Sequence, residues 1–149
     1  MAQSLTQIYI HAVFGTKKRR HLINESIEEE FHKYMTGVFK GNDCPVLRIN
    51  SMPEHVHIIF RLSKQISIAK AMEISKKISS KWFKTKGVKN FKWQAGYGAF
   101  SISPSKLDVA INYVKRQKEH HKKQTFKIEV AELMRVNGIT EFSEEFFWV

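Results

Sequence analysis

The run Glu54-His55-Val56-His57-Ile58-Ile59-Phe60 constrains this chain more than any other. Its β-branched and aromatic residues suit a strand, and successive strand residues point to opposite faces. Val56, Ile58, Phe60 and Leu62 would then pack on a core. His55 and His57 would point the other way, roughly 6.6 Å apart along the strand. Two imidazoles so placed can converge on one metal ion or one substrate oxygen. They can also be two hydrogen-bonded core histidines, and the pattern alone leaves both readings open.

The flanking sequence supplies the partners of this strand. Residues 8–14 alternate, with Ile8, Ile10, Ala12 and Phe14 on one face and Tyr9, His11 and Val13 on the other, which predicts a second strand. Lys17-Lys18-Arg19-Arg20 follows as a basic turn. Asn24 or Ser26 can cap a helix to about Phe39, with Glu28, Glu29 and Glu30 in its first turn, where acids suit the helix dipole. Its buried stripe would be Ile27, Phe31, Tyr34, Met35 and Val38. Residues 44–51 read as a short strand, and Met52-Pro53 turns it into the histidine strand as a hairpin. A second helix spans 66–83, apolar along Ile68, Ala71, Met72, Ser75, Ile78 and Trp82. Residues 94–103 read as a fourth strand, 106–124 as one helix, and 126–136 as an amphipathic stretch ahead of an acidic, aromatic tail, 141–149.

The order is β-α-β-β-α-β-α with a C-terminal helix. The first six elements predict an α+β fold: a ferredoxin-like or RRM-like split βαβ antiparallel sheet with both long helices on one face. That arrangement would leave the other face free for His55 and His57. A chain of 149 residues is most simply one domain, 1–149, burying about two thirds of its surface.

Charge narrows the partner. A formal net charge of +11 points to an anion, with nucleic acid ahead of a membrane surface. One cysteine, Cys44, excludes an internal disulfide and suits a reducing compartment. No apolar run approaches the roughly 20 residues of a membrane span, and no secretion signal is visible. The expected location is the cytoplasm. There is no CxxC, HExxH or glycine-rich phosphate loop, so ATP and dinucleotide use are unsupported.

A second constellation lies on the helix over 106–124. Tyr113 and Gln117 are four apart and share a face. Gln117 offers a carbonyl oxygen suited to magnesium or manganese. Tyr113 offers a phenolic oxygen, a nucleophile once deprotonated or metal-assisted. Val109, Ile111 and Val114 would be the apolar positions of this helix. His120 and His121 fall near Gln117; the simplest reading of His121 is a solvated side chain. His11 can share the face of the histidine pair without being a ligand.

Four segments in this order resemble the HUH single-tyrosine transposases of the insertion-sequence-200 type, which act on single-stranded DNA. They are Ile10-His11-Ala12-Val13-Phe14-Gly15-Thr16-Lys17, Pro53-Glu54-His55-Val56-His57, Trp93-Gln94-Ala95-Gly96-Tyr97-Gly98-Ala99-Phe100-Ser101, and Tyr113-Val114-Lys115-Arg116-Gln117-Lys118-Glu119-His120-His121. The resemblance implies that His55, His57 and Gln117 hold a divalent metal, Mg2+ or Mn2+. It implies that Tyr113 attacks a DNA phosphodiester, becomes linked to the 5′ side and frees a 3′ hydroxyl. It also implies a homodimer and a single-stranded DNA partner containing a hairpin.

Composition adds candidate DNA contacts: Lys17, Lys18, Arg19 and Arg20, then Lys77, Lys81 and Lys84 on the second helix, with Lys115 and Arg116 beside the tyrosine. Trp93 is a candidate base-stacking platform, as are Phe91 and Tyr97, whereas Trp82 fits a core better. Three rivals remain at this point. The same sheet can grip nucleic acid without cutting, as an RRM-like module does, although the aromatic pattern of such modules is missing. A domesticated relative, such as the REP-associated tyrosine transposases, would keep the chemistry in host service. A metallohydrolase for small substrates is the weakest, given the charge.

Overall fold

The computed structural model describes residues 2–149. Four strands, β1 (Tyr9–Gly15), β2 (Val46–Met52), β3 (His55–Arg61) and β4 (Gly98–Ile102), form one antiparallel sheet in the order β2-β3-β1-β4. The two central strands are the two that the hydrophobic alternation marks most clearly. In β1 and β3 the register sets Ile10 against Phe60, Ala12 against Ile58 and Phe14 against Val56. All six side chains therefore share one face.

That face packs on α1 (Glu25–Gly41) and α2 (Ile68–Thr85) through Phe31, Met35 and Phe39 of α1 and Ala71, Met72, Trp82 and Phe83 of α2. Phe83 stacks on Phe91 at 3.9 Å between ring centroids, and Trp93 meets Phe14 edge-on at 4.8 Å. Tyr34, expected in the buried stripe of α1, instead lies exposed over Trp82. Ser67 caps α2 by accepting from the Lys70 amide, so that helix begins later than its apolar pattern suggests. The expected split βαβ architecture is observed.

The opposite sheet face is covered rather than free. The expected single helix over 106–124 is two, α3 (Leu107–Lys115) and α4 (Gln117–Lys123), separated at Arg116. The cause lies on β2. The Asn50 side-chain amide donates to the carbonyls of Val114 and Lys115, at 3.0 and 3.2 Å. A continuous helix would give those carbonyls to the amides of Lys118 and Glu119. Glu119 bonds Arg116 instead. Val109, expected to be buried, is 65% exposed.

Then α5 (Phe126–Val136), capped by Thr125, lays Phe126, Val130 and Met134 against Val13 and Phe100 of the sheet. The short α6 (Glu144–Phe147) follows. The fourth strand is shorter than expected: Trp93 bridges Thr16 and the Gln94 amide still donates to Gly15, but residues 95–97 leave the ladder before Gly98 rejoins it. The Lys76 ammonium donates to the carbonyls of Gln94, Ala95 and Gly96 at 2.7, 3.1 and 2.8 Å. No helix among the described residues is long and apolar enough to cross a membrane.

Candidate metal and nucleophile site

β3 presents His55 and His57 on the face away from α1 and α2, and both are fully buried. The register explains their surroundings. His57 lies opposite Val13, so His11, two residues along β1, is its diagonal neighbour. His11 Nε2 and His57 Nδ1 are 2.8 Å apart. His55 lies opposite Gly15. A Cβ at Gly15 would come within 2.7 Å of the Phe126 ring. The bare glycine thus lets Phe126 stack flat on His55, with centroids 3.9 Å apart and planes 1° from parallel.

The outer nitrogens of both histidines face one carboxylate. Glu129 Oε1 lies 3.3 Å from His57 Nε2 and 3.5 Å from His55 Nε2. Gln117, also fully buried, puts its carbonyl oxygen 3.2 Å from His55 Nε2 and donates from its amide to Glu129 Oε2 at 2.8 Å. The Tyr113 hydroxyl donates to the same Oε2. Tyr113 and Gln117 therefore converge despite the break between α3 and α4.

His55 is flanked by acceptors on both nitrogens. Glu54 Oε1 sits 2.8 Å from Nδ1, while the Gln117 and Glu129 oxygens face Nε2. A neutral imidazole has one N–H and cannot satisfy both sides. In the neutral form with Nδ1–H on Glu54, the Nε2 lone pair meets two oxygens with no hydrogen between them, and either a second proton on the ring or a metal cation between these atoms resolves that convergence. A carboxylate on Nδ1 is also the usual outer partner of a metal-bound histidine. The donor set of two imidazoles, a carboxylate and an amide oxygen can hold a divalent metal ion. The ligand atoms of His55, His57 and Glu129 lie within 4.8 Å of one another.

Electrostatics agree with this. Burial, helped by the neighbouring His57, lowers the His11 pKa to about 3, and burial lowers that of His57. Both are neutral at pH 7, the form that binds metal. Burial opposes ionisation of Glu129, but the hydrogen bonds from His57 and then Tyr113 hold the carboxyl well below the usual range. Burial first, then the Glu129 charge, push the Tyr113 phenol above its ordinary value.

Glu129 was invisible to motif reading. The signal it left is an acid on the apolar stripe of α5, between Phe126 and Val130. His121 is half-buried at the edge of an open cleft, with its Nδ1 3.4 Å from Glu54 Oε1. His120 stacks on Tyr113 at 4.6 Å. Among the basic candidates, Lys17, Lys18, Arg20, Lys115 and Arg116 are exposed, while Arg19 is half-buried over the Trp148 ring at 4.9 Å. Lys77, Lys81 and Lys84 are exposed on α2, across the sheet from the histidines. Lys77 shares a cleft with Lys17 and Lys92. Trp93 is no stacking platform: it is 8% exposed, and its indole N–H donates to Ser79 at 2.9 Å. Phe91 is likewise in the core.

Comparison with known proteins follows the same lines. Among curated proteins, no match was found. A solved structure of a Deinococcus radiodurans protein assigned as a transposase matches at TM-score 0.61 and 15% identity, covering 78% of this chain and 98% of that one. The structure of a REP-associated tyrosine transposase bound to a REP hairpin matches at TM-score 0.60 and 19% identity, covering 96% of each. Both share the fold. Residues 4–117, from ahead of the first strand through Gln117, match the family model described as "Transposase IS200 like". With the histidine pair, the tyrosine and the glutamine all inside that span, this chain belongs to the IS200-like transposase family.

Proposed function

We propose that this transposase cuts and rejoins single-stranded DNA through a 5′-phosphotyrosine on Tyr113, with a divalent metal held by His55, His57 and Gln117. The observation that carries the reading is the convergence of Tyr113, Gln117, His55 and His57 on one point, the Glu129 carboxylate. A nucleophile and a set of cation ligands meeting at one point suit phosphoryl transfer, which depends on positioning and charge stabilisation.

Mg2+ or Mn2+, when bound, supplies positive charge that polarises a phosphate oxygen. Tyr113 attacks the phosphorus. The Oη–P bond forms and the bond from phosphorus to the 3′ oxygen breaks. The phenol is held un-ionised, so its proton leaves during the attack, and Glu129 Oε2 is the acceptor already bonded to it. The departing 3′ oxygen takes its proton from solvent. The phosphodiester energy stays in the phosphotyrosine, so joining to a second 3′ hydroxyl needs no ATP.

Lys17, Lys18, Arg19 and Arg20 adjoin the end of β1, and Lys77 extends that basic surface. We assign the DNA backbone to this surface and to Lys115 and Arg116, and hairpin-containing single strands as the substrate. A homodimer and a cytoplasmic location complete the proposal; β2 and β4 are the sheet edges at which two copies could join. The test is cleavage of 3′- and 5′-labelled hairpin oligonucleotides, with and without Mn2+. Cleavage should require the metal and should be lost in His57→Ala. Metal-independent cleavage, or full activity in His57→Ala, would overturn the proposal.

A further inference from the structure

Glu129 lies outside the span that the family model matches, which ends at residue 117. It is carried by α5, a separate helix reaching the site across the sheet face. Its residue is 3% exposed, and it stands on the stripe of α5 where packing calls for an apolar side chain. A buried carboxylate is costly unless it is paired. Its partners divide sharply between its two oxygens. Among the described residues, Oε1 faces the two histidine nitrogens, at 3.3 and 3.5 Å. Oε2 takes the hydrogen bonds from Tyr113 and Gln117.

We propose that Glu129 is a further protein ligand of the metal site through Oε1, and that Oε2 ties the Tyr113 hydroxyl to that site. This rests on the metal-dependent reading of the function. The His55 geometry favours it. With Nδ1–H directed to Glu54, Oε1 and the Gln117 carbonyl oxygen confront the Nε2 lone pair. An ion among them turns opposed acceptors into a ligand set. Two imidazoles, one carboxylate and one amide oxygen carry a single negative charge, leaving one net positive charge on a divalent ion to meet a DNA phosphate. The carboxylate thus spans the ion and the nucleophile with one rigid planar group. In this arrangement α5 is part of the catalytic machinery rather than only a cover over the sheet.

Packing and ligation predict opposite orders for two substitutions. Gln has the shape of Glu and could still accept the Tyr113 hydrogen bond, so a packing role tolerates Glu129→Gln better than Glu129→Asp. A ligand role prefers the charge, so Glu129→Asp retains more metal affinity than Glu129→Gln. Calorimetric titration of full-length protein with Mn2+ reads this directly, with circular dichroism checking the fold. We expect Glu129→Gln to lose at least about tenfold in Mn2+ affinity and Glu129→Asp to lose less.

Wild-type affinity in Glu129→Gln, together with loss of binding in His57→Ala, would overturn the role of Glu129 and leave the metal reading standing. Wild-type affinity in His57→Ala as well would overturn both. Hydrogen exchange on the unmodified protein gives a second test if a variant fails to fold. Mn2+ should slow amide exchange in α5 as well as in β3. Slowing confined to β3 would contradict ligation by Glu129.

Discussion

His11 shows what burial does to a single side chain here. Its pKa of about 3 lies below the 6.5 of a free imidazole, chiefly through desolvation. Above pH 6.5 the folded and unfolded chains are both neutral at this residue. Between 6.5 and about 3 the unfolded chain takes up a proton that the folded chain refuses. Stability is therefore lost as pH falls through that window, by up to about 1.4 kcal/mol per pH unit for this one group. His57, also lowered, acts in the same sense. Urea unfolding at pH 7.5 and pH 5 should show the loss, and His11→Gln should reduce it. Equal stability at the two pH values would contradict the buried neutral pair.

At this scale legibility depended on locality. His55 with His57, and Tyr113 with Gln117, each sit within five residues of sequence, where strand and helix periodicity decide what faces what. Glu129 meets His57 across 72 residues of chain, and nothing near it in sequence announces the encounter.

The same limit applies to whole elements. The apolar periods of α1, α2 and α5 were readable because each helix packs along its own stripe. The break between α3 and α4 was not, because its cause is Asn50 on a distant strand. Asn50→Ala would leave the Val114 and Lys115 carbonyls without that donor. Losing a side-chain amide that bonds two backbone carbonyls costs about 1–3 kcal/mol. Chemical denaturation of the variant should show a loss in that range. No measurable loss would mean that Asn50 does not hold the break. The shortened β4 likewise goes with a distant residue, Lys76, whose ammonium takes the carbonyls of Gln94, Ala95 and Gly96 where the chain leaves the ladder.

Over the whole molecule, element order and alternation were enough to expect the split βαβ sheet, because one face of it must be apolar to meet two amphipathic helices. The covering of the other face is not legible in this way. The apolar spacing marks the amphipathic stretch over 126–136, but its docking place is set by tertiary contacts of Phe126 and Val130 with His55 and Val13. Charge acts at this scale too. Binding about six phosphates of single-stranded DNA gives a log-log salt slope of roughly −4. Replacing Lys17, Lys18 and Arg20 together by Ala should make that slope shallower by about 2, read by fluorescence anisotropy over a NaCl series. An unchanged slope would place the DNA elsewhere on the basic surface.

The most direct measurement is a denaturing gel of the protein mixed with a labelled single-stranded hairpin oligonucleotide and Mn2+. The account predicts a shifted band that survives denaturant, needs the metal and disappears in Tyr113→Phe while DNA binding persists. An adduct of undiminished yield in Tyr113→Phe would contradict the assignment of the nucleophile. Tight binding with no adduct on any hairpin flanking the gene would contradict covalent strand transfer itself.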